Sequence, residues 1–155
     1  MKTATLLLMA LLTAAAVAGP LDRANDPALR WHVDVVPTQD RDVVEVVFRA
    51  DIAQGWILYS SDFSLDIGPR PAKFSFDANP SVTLLGPIEP LRSQRKQDKS
   101  LGGEYSYFAG NAEFRQKVRV VAPTKNISGR IDGQTCFEES GVCQLFREKF
   151  DASLP

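Results

Sequence analysis

Apolar and polar residues alternate with a period of two along most of this chain, which is the spacing of half-buried β-strands and not of helices. In Trp31-His32-Val33-Asp34-Val35, the residues Trp31, Val33 and Val35 point one way and His32 and Asp34 the other. Val44, Val46 and Phe48 alternate with Glu45, Val47 and Arg49, and Ala72, Phe74 and Phe76 with Lys73, Ser75 and Asp77. The clearest run lies within 112–120, where Phe114, Val118 and Val120 face inward against Arg115, Lys117 and Arg119. Successive side chains leave opposite faces of a pleated strand, so each run predicts one buried and one solvated face.

Gly/Pro punctuation separates the runs: Gln54-Gly55, Gly68-Pro69-Arg70-Pro71, Asn79-Pro80, Gly86-Pro87, Gly102-Gly103, Ala109-Gly110-Asn111 and Asp132-Gly133. Many short strands with regular turn signals predict an all-β antiparallel sandwich. No long amphipathic helix, internal repeat or interdomain linker interrupts the pattern. The expected organisation is a signal peptide over 1–18, a loose leader over 19–30, and a single β-sandwich domain over 31–155. The signal reading rests on Lys2, the apolar residues 6–12 and the small-residue site Ala16-Val17-Ala18. No later segment is long or apolar enough to cross a bilayer. The mature protein is expected to be soluble and periplasmic or otherwise exported.

Formal net charge is −1 over 155 residues, so no strong field argues for nucleic acid or an anionic membrane. The one basic stretch, Arg92-Ser93-Gln94-Arg95-Lys96-Gln97-Asp98-Lys99, reads as a solvated loop, with a docking patch for an acidic partner as the sharper alternative. His32 is the only histidine, which leaves a metal site without convergent ligands. Neither a cofactor nor a metal is expected. Tyr105, Tyr107 and Phe108 read first as strand-core packing and second as a binding patch.

The chemistry gathers at the two cysteines, Cys136 and Cys143, the only ones in the chain. A close pair in an exported protein is expected to form a disulfide. Strand candidates at 127–131 and 144–150 place the pair in the connection of a hairpin, where another protein can reach it. As a staple, the bond would close a very short loop and contribute roughly 2.5 kcal/mol. As a redox couple, it would need an exposed and exchangeable sulfur. Glu138 and Glu139 lie between the cysteines, and Arg147 is the nearest cation in sequence. The residues alone leave both readings open: an exchange module, or a non-redox binding or assembly β-sandwich with a structural disulfide.

Across about 31–150 the sequence resembles the N-terminal periplasmic domain of the thiol:disulfide interchange protein DsbD. The likeness rests on Gly55-Trp56-Ile57-Leu58-Tyr59-Ser60, on Gly68-Pro69-Arg70-Pro71-Ala72-Lys73-Phe74, on the run from Tyr107 through Gly110, Phe114 and Gln116 to Val118, and on Gln134-x-Cys136 with Gly141-x-Cys143. The resemblance implies an immunoglobulin-like antiparallel β-sandwich and a relay of reducing equivalents. It also implies a thioredoxin-like protein or domain as electron donor and periplasmic thiol–disulfide proteins as acceptors. Carried onto this chain, Cys143 is the exchanging thiol and Cys136 the resolving thiol. A cap loop is implied near 98–103, with Leu101 as its apolar residue and Trp56 and Tyr59 as packing neighbours of the pair.

Overall fold

A computed structural model describes residues 28–154, so the expected signal peptide, the leader as far as Pro27, and Pro155 lie outside the described residues. Within them the chain forms β1 (Leu29–Pro37), β2 (Val43–Ile52), β3 (Trp56–Tyr59), β4 (Lys73–Phe76), β5 (Val82–Pro90), β6 (Gln94–Asp98), β7 (Gly103–Ala109), β8 (Asn111–Val120), β9 (Asn126–Phe137) and β10 (Cys143–Ser153). They make two antiparallel sheets, ordered β1-β2-β8-β5 and β10-β9-β3-β7-β6. The fold is an immunoglobulin-like antiparallel β-sandwich. In the second sheet β9 is a spine. One edge pairs with β10 from Cys136 back to Asn126, while the other is divided between β4 and β3.

Aromatic side chains on the inner faces join the sheets. Phe48 of β2 meets Phe74 and Phe150 at ring separations of 4.8 and 4.9 Å, and Phe114 of β8 meets Phe74 and Phe108 at 4.9 and 5.1 Å. Phe48 and Phe114 are fully buried, each worth about 1.5–3 kcal/mol of apolar burial. Val47, expected to point outward, is buried as well. Its register partners Asp34 and Arg115 place it beneath a lattice of ions on the outer face of the first sheet. Arg49 bridges Asp34 and Glu113, and Arg115 bridges Glu113 and Glu45, over 2.7–3.1 Å.

Three local signals prove to be something else. Gly86-Pro87 lies inside β5, where the register shifts between Leu85 and Glu89. Gln116 reaches that bulge from within and donates to the Leu85 and Gly86 carbonyls at 3.3 and 3.1 Å. Asp132-Gly133 falls in the middle of β9, because the Phe146 ring lies where a side chain at 133 would be. The basic stretch is not a loop either: Gln94–Asp98 is the exposed edge strand β6. Alternation of long polar side chains there carried no apolar face, so its strand character had no signal. At the N-terminus β1 starts at Leu29, two residues ahead of the first alternating residue.

Candidate functional site

The cysteines occupy the ends of the β9–β10 hairpin, on the strands and not in their connection. Cys136 and Cys143 are register partners, bonded to each other with Cα atoms 4.0 Å apart. The connection is closed by Phe137 N–H to the Val142 carbonyl and Gly141 N–H to the Phe137 carbonyl, both at 2.8 Å. Gly141 sits at φ 69°, a left-handed backbone that glycine adopts without a Cβ penalty. Glu138 N–H donates to the Gly55 carbonyl at 2.8 Å and so ties the hairpin tip to the β2–β3 turn.

The two sulfurs differ in access. Cys136 is 5% exposed, whereas Cys143 is exposed. Cys136 faces away from the sandwich core, into a second apolar cluster with Ile57, Tyr59 and Tyr105. Ile57 is its register partner on β3. Tyr59 follows two residues on and meets Tyr105 edge to face, with ring centroids 5.4 Å apart. Burial raises the Tyr59 hydroxyl pKa, with Tyr105 and Asp98 adding to the shift. A shallow depression of about 270 Å³ runs beside the bond, and Ile57, Tyr59, Lys96, Tyr105 and Tyr107 line it together with both cysteines.

Two segments cover this cluster. The turn after β6 is held by Asp98, whose carboxylate accepts from Ser100 N–H, Ser100 Oγ and Leu101 N–H at 2.9, 2.6 and 3.3 Å. It presents Leu101 to the cluster. The segment 61–71 brings Phe63 and Leu65, with Phe63 6.2 Å from Tyr59 and 6.3 Å from Tyr105. The segments interlock, Leu101 packing over Gly68 and Leu65 over Gly103. Asp62 anchors the start of the second segment through the Ser106 hydroxyl and Arg95.

Of the residues singled out from sequence, Cys136, Cys143, Tyr59 and Leu101 gather on one side of the second sheet. Trp56 is on the other side, packed on Phe137 at 5.6 Å and against the main core. Arg147 is held away from the sulfurs by Asp132, at 2.6 Å. Phe63 and Leu65 carry no periodic signal in the sequence, and Lys96, part of the basic stretch, carries none that places it beside the cysteines. Gln134 is a further residue at the site. The signal there was its spacing, because residues two apart on a strand share a face. Gln134 Nε2 lies 3.7 Å from Cys136 Sγ.

The family described as "Thiol:disulfide interchange protein DsbD, N-terminal" matches residues 26–155. No curated protein matches the chain significantly. Solved structures that share its fold include the following three. The reduced DsbD N-terminal domain of Neisseria meningitidis is 20% identical with a TM-score of 0.51, over 77% of this chain and 82% of that one. The complex between the DsbD N-terminal and PilB N-terminal domains from the same organism gives 17% identity and 0.52, over 83% and 89%. The N-terminal periplasmic domain of ScsB from Proteus mirabilis gives 13% and 0.50, over 79% of this chain but 44% of that one.

Proposed function

This chain belongs to the family of the N-terminal domain of the thiol:disulfide interchange protein DsbD, and we propose that it exchanges electrons with other proteins through its Cys136–Cys143 disulfide. The observation that carries this reading is the unequal access of the two sulfurs, Cys143 exposed and Cys136 5% exposed. Exchange needs in-line approach of a thiolate to one sulfur of the pair, and only Cys143 offers that approach.

In the reducing direction, the Cys143 thiolate attacks a partner's disulfide and forms a mixed disulfide, releasing one partner sulfur as thiolate. Cys136, deprotonated, then attacks Cys143 Sγ. The intramolecular bond forms, and the second partner sulfur leaves as thiolate to take up a proton. Two electrons pass to the partner. Running the sequence backwards, a donor dithiol reduces the domain. The donor is a thioredoxin-like protein or domain, and the acceptors are periplasmic thiol–disulfide proteins. A structural neighbour supports a protein partner of this kind, being a complex between the DsbD N-terminal and PilB N-terminal domains. The site of action is the periplasm, in keeping with a neighbour described as a periplasmic domain. Among the described residues no helix is long and apolar enough to cross a membrane. Leu101 and the segment 61–71 act as a cover over the buried Cys136 side of the pair and leave Cys143 as the point of approach.

The deciding measurement is the reduction potential of the couple, by equilibration with glutathione or dithiothreitol buffers. The expected value lies between about −270 and −120 mV, the range of exchange proteins. A value below about −300 mV would mark a resistant structural bond and end the exchange reading.

A further inference from the structure

Gln134 stands two residues before Cys136 on β9, so both side chains leave the same face of the strand. Its amide is fixed at both ends. Oε1 accepts a hydrogen bond from the Arg70 backbone N–H at 2.9 Å. That commits Nε2 to the opposite side, where it lies 3.7 Å from Cys136 Sγ. Arg70 belongs to the covering segment, two residues from the Gly68 on which Leu101 packs. We propose that Gln134 donates a hydrogen bond to the Cys136 sulfur and stabilises the thiolate formed there whenever the disulfide opens. The assignment rests on the exchange reading and deepens it, giving the buried sulfur its own donor.

The need for a donor follows from the electron balance of the exchange. When an incoming thiolate attacks Cys143 Sγ, its electron pair makes the new S–S bond. Cys136 Sγ departs with the pair of the broken bond, as a thiolate. In the reverse step that thiolate attacks Cys143 Sγ and expels the partner's sulfur with its pair. Both directions place a negative charge on Cys136, which is almost completely buried. Burial disfavours that charge, and a hydrogen bond donated to it favours it again. The titratable groups around the depression are Lys96 on β6, Tyr59 on β3, Tyr105 and Tyr107 on β7, and Glu138 on the hairpin tip. Lys96 and Glu138 oppose one another in sign. A neutral amide aimed at the sulfur lowers its pKa without adding a charge that an exposed depression would screen.

The test is the titration of Cys136 alone, in the Cys143→Ser protein, followed by the ultraviolet absorbance of the thiolate. Gln134→Met, similar in size and without a donor, is expected to raise the midpoint by about one pH unit, a tenfold change in the thiolate equilibrium. A folded Gln134→Met protein with the parent's midpoint would overturn the assignment. Gln134→Glu keeps an oxygen for the Arg70 N–H but has no N–H of its own, so it too must raise the midpoint. A Gln134→Glu protein titrating like its parent sinks the idea even if the methionine variant does not fold. In the parent, the Gln134 side-chain amide resonances must shift with the same midpoint as the absorbance; an amide indifferent to pH overturns the proposal without any change at Gln134. None of these readouts involves a partner. Exchange with a Gln134-independent midpoint defeats this assignment alone, and a Gln134-dependent midpoint in a couple that resists redox buffers defeats the exchange reading alone.

Discussion

Cys136 and Cys143 share one bond but not one environment, and their substitutions should therefore fail differently. Cys143→Ser removes the reachable sulfur, and exchange with any protein disulfide should fall to background while the domain stays folded. On the proposed relay, Cys136→Ser leaves the attacking thiol and removes the one that resolves. A mixed disulfide should then accumulate, visible as a dithiothreitol-sensitive adduct by non-reducing electrophoresis. If either serine variant unfolds the domain, shown by loss of its thermal transition, the bond is a staple and the relay reading fails. A lost bond of this loop length costs only about 2.5 kcal/mol, so unfolding would mean that the hairpin contributes more than its chain entropy.

The spine strand β9 holds the site, and its glycines explain how. A Cβ at Gly129 would lie 2.2 Å from the Ser75 carbonyl oxygen and 2.6 Å from the Phe150 ring. The obstacle is backbone of the neighbouring β4, which cannot step aside without breaking the ladder. Gly129→Ala should cost about 2–3 kcal/mol, read as a lower urea midpoint. At Gly133 the nearest atoms belong to the Phe146 ring, at 2.6 and 2.8 Å. A ring can tilt, so Gly133→Ala should cost less. The same strand marks what could be seen in the sequence. Alternation in 31–35 and 112–120 revealed β1 and β8, because each has one apolar face and one charged face. It revealed only the first half of β9. Glycine at 133 imitates a turn unless the ring packed on it is known. The cysteine pair was legible from spacing, and Tyr59 and Leu101 from the family resemblance. The covering segment 61–71 was not, since Phe63 and Leu65 belong to irregular chain whose packing depends on Leu101 and Gly103, far along the sequence.

Taken as a body, the sandwich keeps its folding core and its disulfide on opposite sides of the second sheet, while ion pairs knit the outer face of the first sheet and the second sheet's strands. Those ions set the response to acid. The Arg115 hydrogen bond, aided by Arg49, holds the Glu113 carboxyl below its ordinary value. Burial pushes Asp132 up, but Arg147 and Arg130 outweigh it and hold that carboxyl down. Burial likewise pushes Asp62 up, but the Ser106 hydroxyl, further local hydrogen bonds and, least of all, the Arg95 charge together hold it down. A carboxyl depressed in the folded state contributes stability above its unfolded pKa of about 4, and that contribution is lost as pH falls through the folded value. The thermal midpoint should therefore hold near neutrality and drop below about pH 4. Glu113→Gln should lower stability at neutral pH by up to about 1 kcal/mol, and the gap to the parent should close in acid. A gap independent of pH would show that Glu113 acts by packing alone. The bond itself joins residues seven apart on neighbouring strands of one hairpin. Opening it changes no strand's neighbours and releases no distant segment. The oxidised and reduced domains should accordingly present nearly the same outline, and on the exchange reading a partner would tell a loaded carrier from a spent one only by touching the hairpin tip and the cover beside it.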